Sequence, residues 1–453
     1  MSLLGASMSI FTRAAQAAKE KMGIAPKEKF EYEKKIFKLG KHTLRVKIPE
    51  SFKAKMDKLV FNFMHENMEF EKPVKLKPQI DGDFFVFQVE FTVEDKYRLN
   101  VHDHSQKNKK RIYIPIASIN MYALDNDLYS IRPMKGDSHI HSTNSDGKFT
   151  PVEVALRCYE VGLDYQSISD HRRWDTSDII MKQFGKYNTS MTFYHAEECH
   201  FAKSDIHNFG GSQGLTAYVN ANKAEFDKRI VEKIKTMPKG MLPALKKEVA
   251  TVEVEAELIR SFGGIPVFNH PYWLTSKGFF NKSVDTICER KSVDVIEIVN
   301  FGRRYGNRDF STSLSIEKLT ELREKGIKYP VIATTDAHSI LNQGNAYTII
   351  FPKTNKWEDT KQAVLGRRMV AVCDTTYNEV EIDNRDTMMY GDRRLIKYAR
   401  FLIKEYFPEH DKLIAEEGKA LKEILDKGES EERLAKLKAL SDKAKAYWNS
   451  VRA

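Results

Sequence analysis

Alternating apolar and polar residues dominate the first part of the chain. In Thr43–Ile48, Phe84–Phe91 and Arg111–Ile116, β-branched and aromatic residues recur at every second position or in short runs. A period of two is typical of a strand with one buried face, and Asp81-Gly-Asp83 has the composition of a turn. The pattern predicts a β-rich, sandwich-like domain over residues 31–130.

From residue 131 onwards, short apolar runs alternate with helical stretches. The strand-like runs are Tyr165–Ser169, Gly263–Phe268, Val293–Val299 and Tyr329–Thr334. Helical periodicity occupies Glu153–Val161, Val252–Phe262 and Ile316–Lys325. Repeated strand–helix units predict an α/β domain with a parallel sheet, either closed into a barrel or open. If it is a barrel, its chemistry is expected at the carboxyl ends of the strands.

Both ends of the chain read as helical. Residues 1–30 form an amphipathic pattern whose apolar positions are interrupted by Ser, Thr, Arg and Lys, which does not fit a secretory signal. Residues 394–453 predict two or three charged helices, broken near Pro408 and Gly428. Either end offers a surface for packing on the body or for forming an oligomer. The expected layout is therefore 1–30, 31–130, 131–393 and 394–453.

Composition places the chain among soluble globular proteins. It has 453 residues with 41% hydrophobic and 30% charged residues, and no apolar run approaches the length needed to span a bilayer. Its four cysteines form no CxxC pair, which favours a reducing cytoplasm over a disulfide framework. The net charge of +10 favours a small anionic substrate. Nucleic acid is a possible but less favoured partner, because surplus Lys residues fit solvated helix faces.

Histidines and carboxylates recur directly after the strand-like runs. The set comprises His139, His141, Asp146, Asp170, His171, His195, Glu197, Glu198, His200, His207, His270, Asp336 and His338. Imidazole and carboxylate together are ligands for divalent transition metals, here Zn, Fe or Mn. Residues at the carboxyl ends of barrel strands converge, so the set predicts one metal centre rather than scattered polar groups.

The spacing of these residues along the chain indicates which of them can bind a metal directly. His139 and His141 are two positions apart and share a face of an extended segment, as do Asp336 and His338. Adjacent residues point in opposite directions, so only one of Asp170 and His171 is a direct ligand. We choose His171 and expect Asp170 to orient the site. The same argument allows one of the neighbouring Glu197 and Glu198, and geometry alone leaves that choice open.

The ordered motifs resemble those of the PHP (polymerase and histidinol phosphatase) superfamily. They are Asp137-Ser-His-Ile-His-Ser142, Ser169-Asp-His171, Asn269-His-Pro271 and Thr335-Asp-Ala-His338. The resemblance covers roughly residues 131–375 and implies a distorted (β/α)7 TIM-like barrel with two or three divalent metals. The stretches Gly344–Ile350 and Leu365–Val372 further resemble the metallo-phosphoesterase branch that includes carbaryl-hydrolase-like proteins.

The resemblance also implies a ligand set for each metal. The first would be held by His139, His141, Glu198 and Asp336, the second by Glu198, His207 and His270, and the third by Asp146, His171 and His338. Glu198 is preferred because the family usually has Gly-x-Glu there, although this chain carries Ala196 in place of that glycine. The assignment of His207 as a ligand rests on the run Asp205-Ile-His-Asn-Phe-Gly210.

These features predict a metal-dependent phosphoesterase that hydrolyses a phosphomonoester or nucleotide through metal-bound hydroxide. The alternatives are a carboxyl or carbamate ester hydrolase with the same metals and a binding protein on a formerly catalytic scaffold. Arg172 and Arg303 are candidates for binding phosphate oxygens, since guanidinium binds them bidentately. Tyr272 either stacks on the substrate or packs on the rim of the site.

Overall fold

The computed structural model describes residues 30–68, 71–105, 115–273, 281–300, 308–374 and 387–453. The chain divides into two compact units, Ile131–Tyr447 and a smaller one comprising Met1–Ser130 with Trp448–Ala453. Residues 1–29, predicted as an amphipathic helix, lie outside the described residues, as does the 111–114 part of one predicted strand. The four-part layout drawn from the sequence stays a prediction.

The smaller unit is built almost entirely of strands. In chain order they are β1 (Ile36–Lys38), β2 (Gly40–Lys47), β3 (Leu59–His65), β4 (Val74–Leu76), β5 (Gln79–Asp81), β6 (Phe84–Phe91), β7 (Asp95–Asp103) and β8 (Ala117–Leu124). A 3₁₀ segment, Glu50–Lys58, precedes β3, and the short helix α1 (Asn126–Tyr129) follows β8.

Two sheets of the smaller unit share one aromatic core. One has the order β1-β8-β7-β3-β4, and the other has the order β2-β6-β5. Along β6, Phe85, Phe87, Val89 and Phe91 are buried while the alternate positions are more exposed, because successive side chains point to opposite faces. The rings of Phe85 and Phe87 meet Phe61 of the other sheet edge-on, at centroid distances of 5.0 and 4.9 Å.

The larger unit alternates strands with helices. Its strands are β9 (Met134–Asp137), β10 (Tyr165–Gln166), β11 (Thr192–Phe193), β12 (Ala196–Cys199), β13 (Ile206–Phe209), β14 (Ile265–Phe268), β15 (Val295–Asn300), β16 (Val331–Thr334), β17 (Ala346–Ile350), β18 (Met369–Asp374) and β19 (Thr387–Gly391). Its helices are α2 (Pro151–Glu160), α3 (Asp175–Phe184), α4 (Leu215–Ala221), α5 (Lys223–Lys235), α6 (Pro243–Ser261), α7 (Asn281–Glu289), α8 (Arg308–Glu324), α9 (Trp357–Leu365), α10 (Arg393–Glu405), α11 (Phe407–Lys427) and α12 (Glu431–Val451), the last of which ends within the smaller unit.

This unit is a mixed α/β fold, as the sequence predicts. Over the described residues, its strands form two sheets, β11-β10-β9-β17-β18-β19 and β12-β13-β14-β15-β16, instead of the continuous closed barrel that was expected. The parallel order is interrupted because β13 pairs antiparallel with both β12 and β14. Isolated bridges link Ile140 to Ala337 and His171 to Glu198, so the two sheets meet where the candidate ligands lie.

The C-terminal helices pack on the larger unit through buried polar groups. The breaks predicted near Pro408 and Gly428 fall at the start and end of α11. Lys135 of β9 pairs with Asp411 of α11 at 2.7 Å, and Glu417 of α11 accepts a hydrogen bond from the backbone N–H of Ser190. No helix among the described residues combines the length and the apolar character needed to cross a bilayer.

Candidate metal centre

The most buried part of the centre joins two histidines to two carboxylates. His139 and His141 follow β9, Asp336 follows β16 and Glu198 lies on β12. The Nε2 atoms of the two imidazoles lie 3.2 Å apart, and Nε2 of His141 is 2.9 Å from Oδ1 of Asp336 and 3.2 Å from Oε2 of Glu198. Four side chains from three strand ends thus present one ligand atom each to the same small volume.

A second, more open group lies beside it. One carboxylate oxygen of Asp146 is 3.3 Å from Nε2 of His171, and the other is 3.1 Å from Nε2 of His338. The ring of His141 lies between these imidazoles, 4.4 Å from each by centroid distance. Gly147 permits the tight approach of this loop, since a Cβ there would lie 2.6 Å from the backbone of His141.

The two neighbouring glutamates point in opposite directions. Glu198 faces the cluster, where its carboxylate also meets Nε2 of His270 at 3.2 Å. Glu197 turns away and accepts hydrogen bonds from the N–H groups of Leu215 and Thr216, at the start of α4. The register of β12 therefore separates a carboxylate available to a metal from one that satisfies a helix N-terminus.

His207 lies on β13, directly across the hairpin from Glu198. Its side chain is 1% exposed, and neither ring nitrogen has a hydrogen-bond partner among the described residues. Its ring centroid is 5.4 Å from that of His139. Burial, followed by the positive charge expected on His139, lowers the pKa of His207 well below its usual value. The neutral imidazole is the form that binds metals.

The electrostatics of the cluster favour ionised carboxylates. Burial raises the pKa of Glu198, but the facing His139 and other imidazoles outweigh it and hold the pKa well below its usual value. His139 and His141 likewise outweigh burial at Asp336 and hold its pKa below the usual value. In return, the carboxylates overcome the effect of burial on His270 and raise its pKa to about 9. These opposite shifts follow from the short distances between the imidazoles and the carboxylates.

Several residues that position the ligands were missed at the sequence level. Glu297 of β15 is 1% exposed and lies 2.9 Å from Nδ1 of His139, while its second oxygen accepts from the backbone N–H of His270. Asn269 donates to Glu198 at 2.9 Å. Glu297 left a signal in the sequence, namely a charged residue inside the apolar run Val293–Val299. Asn269 left none beyond its place in the Asn-His-Pro motif.

Two candidate ligands sit on strained backbone. The φ angles of Asp336 and His270 are 47° and 25°, in the left-handed region that non-glycine residues rarely occupy. Such conformations cost on the order of 1–3 kcal/mol each and persist where the surroundings over-determine them. Here, a hydrogen bond from the His270 N–H to Glu297 helps to hold that conformation.

The remaining predicted site residues lie around the cluster. Asp170 is buried and accepts hydrogen bonds from Ser142 and Ser145, so it holds the loop that carries His141 and Asp146. Arg172 is exposed, and its guanidinium lies 3.5 Å from the carbonyl oxygen of His200.

Tyr272 is 9% exposed and donates its hydroxyl hydrogen to Asp285 at 2.6 Å. Its ring belongs to the apolar core, a placement that corresponds to packing rather than to stacking on a substrate. Arg303 lies outside the described residues.

The chemistry of the donors fits divalent cations. Oε2 of Glu198 and Oδ1 of Asp336 face only imidazole nitrogens, at 2.9–3.3 Å, and among the described residues both ring nitrogens of His207 are buried without a hydrogen-bond partner. Unpaired buried acceptors of this kind are costly unless a cation or water satisfies them. Imidazole nitrogens facing carboxylate oxygens are the donor set that Zn, Fe and Mn accept.

Comparison with known proteins gives weak likenesses. No family model matches the chain. The DNA polymerase/3'-5' exonuclease PolX of Bacillus subtilis (strain 168) is 23% identical over 271 residues, which is 55% of this chain and 42% of that protein. The chain therefore spans less than half the length of this curated relative.

Two solved structures show a similar low level of likeness. A two-domain protein from Bacteroides vulgatus, described as containing a predicted PHP-like metal-dependent phosphoesterase, is 17% identical with a TM-score of 0.37, over 56% of this chain and 75% of that one. An amidohydrolase from Chromobacterium violaceum is 13% identical with a TM-score of 0.30, over 45% of this chain and 87% of that one. Likeness at this level carries no argument about activity.

Proposed function

We propose that the protein is a metal-dependent hydrolase of the PHP type that acts on a phosphomonoester or nucleotide. The observation that carries the proposal is the convergence of His139, His141, Glu198 and Asp336 at one buried point, with a second group around Asp146 beside it. Stability alone does not explain this set, because the cost of burying several imidazoles and carboxylates together can exceed the gain from their mutual attraction.

Glu198 would be shared between ions, because it faces the imidazoles of His139, His141, His171 and His270 at once. Divalent ions bound here would supply an activated water near neutral pH and would polarise the phosphoryl oxygens. With a cation bound, Glu297 would accept a hydrogen bond from Nδ1 of His139 and leave Nε2 unprotonated towards the cluster.

A phosphate-bearing substrate is supported by the exposed Arg172, which follows His171 directly in the chain. Its neighbour Arg173 is already paired with Asp175 at 2.7 Å and is less available. A guanidinium at the edge of the site suits the oxygens of a terminal phosphate. The net charge of +10 attracts anions in general.

The proposal is tested with a substrate panel assayed with Mn²⁺, Zn²⁺ or Fe²⁺. It contains p-nitrophenyl phosphate, a nucleoside monophosphate, an aryl carboxyl ester and an aryl carbamate, the last two covering the carbaryl-hydrolase-like alternative. A single-stranded oligonucleotide is included because the PolX relative is named as an exonuclease.

We expect phosphomonoester hydrolysis that falls at least about 100-fold in His139→Ala and in Asp336→Ala. His104→Ala, at an exposed histidine of the smaller unit, is the control. Full activity in either ligand variant contradicts the mechanism, and hydrolysis of the carboxyl or carbamate ester alone contradicts the substrate class.

A further inference from the structure

The hairpin of β12 and β13 carries four ligand-type side chains, two more than the motifs account for. Glu198 lies opposite His207 in antiparallel register. His200 follows Glu198 by two positions, and Asp205 precedes His207 by two positions. Both lie on the turn side of the hairpin, so they face each other just beyond the paired strands. Because residues two apart in extended chain share a face, all four side chains project towards the metal cluster.

Each carboxylate oxygen of Asp205 has its own neighbour. Oδ1 lies 2.6 Å from Nδ1 of His200. Oδ2 lies 4.0 Å from Nε2 of His270, whose nearer carboxylate neighbour is Oε1 of Glu198 at 3.2 Å. Ligand atoms of Asp205, Glu198 and His270 all lie within 4.8 Å of one another, the spacing of donors around a single ion.

The position of Asp205 is set by His200 and by the connecting loop. A carboxylate only accepts hydrogen bonds, so Nδ1 of His200 carries the proton and donates it to Oδ1. The loop between the two residues is anchored because Glu248 of α6 accepts from the N–H groups of Lys203 and Ser204. With Oδ1 engaged in this way, Oδ2 remains directed towards His270.

We propose that Asp205 is an additional metal ligand, which binds one cation together with Glu198 and His270, and that His200 is the positioning residue that orients it. The inference rests on the proposed metal-dependent function and adds a carboxylate to the site that the sequence motifs place on Glu198, His207 and His270. A metal-ligating group held by a hydrogen bond on its far side is the arrangement that fixes ligand orientation.

The test is a titration of the chelator-treated full chain with Mn²⁺ alone, in which free Mn²⁺ is measured by electron paramagnetic resonance. Asp205→Asn keeps an oxygen that accepts from His200 but removes the ligating charge. We expect it to lose one equivalent of Mn²⁺ or to bind that equivalent more than about 100-fold more weakly. Circular dichroism of each variant verifies folding.

Three further variants isolate the role of His200. His200→Ala is expected to weaken the same equivalent about 10- to 100-fold, whereas His200→Asn, whose amide can replace the Nδ1–H donor, restores most of the affinity. The matched control is Asp178→Asn, which makes the same change in a similar pair, with His195 at 2.7 Å outside the cluster, and should leave the titration unchanged.

The outcomes separate this inference from the proposed function. An Asp205→Asn titration identical to that of the wild type overturns the inference and leaves the hydrolase proposal standing. Wild-type protein that binds no Mn²⁺ overturns both. Loss of an equivalent in Asp205→Asn supports the inference even if no substrate in the panel is hydrolysed, in which case the proposed function fails alone.

Discussion

At the scale of single residues, the geometry of the metal centre depends on the residues that hydrogen-bond to the candidate ligands as well as on the ligands themselves. Glu297 accepts hydrogen bonds from Nδ1 of His139, from the backbone N–H of His270 and from the hydroxyl of Thr334. One buried carboxylate thereby sets the ring orientation of one candidate ligand and the strained backbone of another. Outer groups of this kind are worth about 10- to 100-fold in metal affinity.

Glu297→Gln should therefore weaken metal binding without removing a ligand. The amide keeps the volume of the carboxylate but loses the charge that holds the Nδ1 proton of His139. We expect Mn²⁺ affinity to fall about 10- to 100-fold, measured by competition with a chelator of known affinity. Glu289→Gln, which removes the charge that pairs with Lys318 and Lys325, is the control. Equal affinities for Glu297→Gln and wild type would show that His139 needs no such partner.

At the scale of elements, α11 packs against the rest of the larger unit through buried ionisable side chains. His410 of α11 is fully buried, and its Nε2 lies 3.0 Å from the guanidinium of Arg132 and 3.3 Å from Asp164. Burial lowers the pKa of His410 to about 4, and Asp164 offsets this only in part. Nearby, burial raises the pKa of Asp411 to about 6, against the effect of Lys135.

The contribution of His410 to stability should therefore fall in acid. Between pH 4 and 6.5 the unfolded chain binds a proton at His410 that the folded chain does not, so stability falls as the pH drops through this range. The pKa difference corresponds to on the order of 3 kcal/mol. Asp411 acts in the opposite sense at overlapping pH, so the measurement is a comparison with His410→Gln.

Thermal unfolding of both proteins from pH 7 to pH 4 gives this comparison. The wild type should lose stability relative to His410→Gln as the pH falls. His42→Gln, at a more exposed histidine of the smaller unit, should track the wild type at every pH. Parallel pH profiles for wild type and His410→Gln would mean that His410 is charged in the folded protein or is not buried.

The elements also show how far the sequence could lead. The alternation along Phe84–Phe91 and the break at Gly428 depend on local chemistry, and both are visible in the chain itself. The choice between Glu197 and Glu198 is different, because it depends on which face β12 turns towards its neighbours. That is a property of strand register rather than of local pattern.

Asp205 escaped the sequence analysis for the same reason. It precedes His207 by two positions in the run Asp205–Gly210, but its contact with His200 can be inferred only once the hairpin register is known. The alternation of strands and helices predicted a parallel sheet, either closed or open, and the resemblance to the PHP superfamily implied the closed barrel. The antiparallel pairing of β13 could not be read from that alternation. Strand register and the direction of strand pairing are therefore where the sequence argument stops.

At the scale of the whole molecule, two compact units are present, and the candidate ligands all belong to the larger one. These ligands come from chain segments nearly 200 residues apart, from His139 to His338. A metal bound by such distant segments stabilises the folded chain over the unfolded one. Metal content and thermal stability should consequently rise together.

The central claim is that these side chains gather around divalent ions, and metal content measures it directly. The chelator-treated protein is reloaded with Mn²⁺, passed over a desalting column and analysed by inductively coupled plasma mass spectrometry. We expect two or three ions per wild-type chain and fewer in the double variant His139→Ala with Asp336→Ala. Wild-type protein that retains no ions, or a double variant that retains as many as the wild type, would contradict the account.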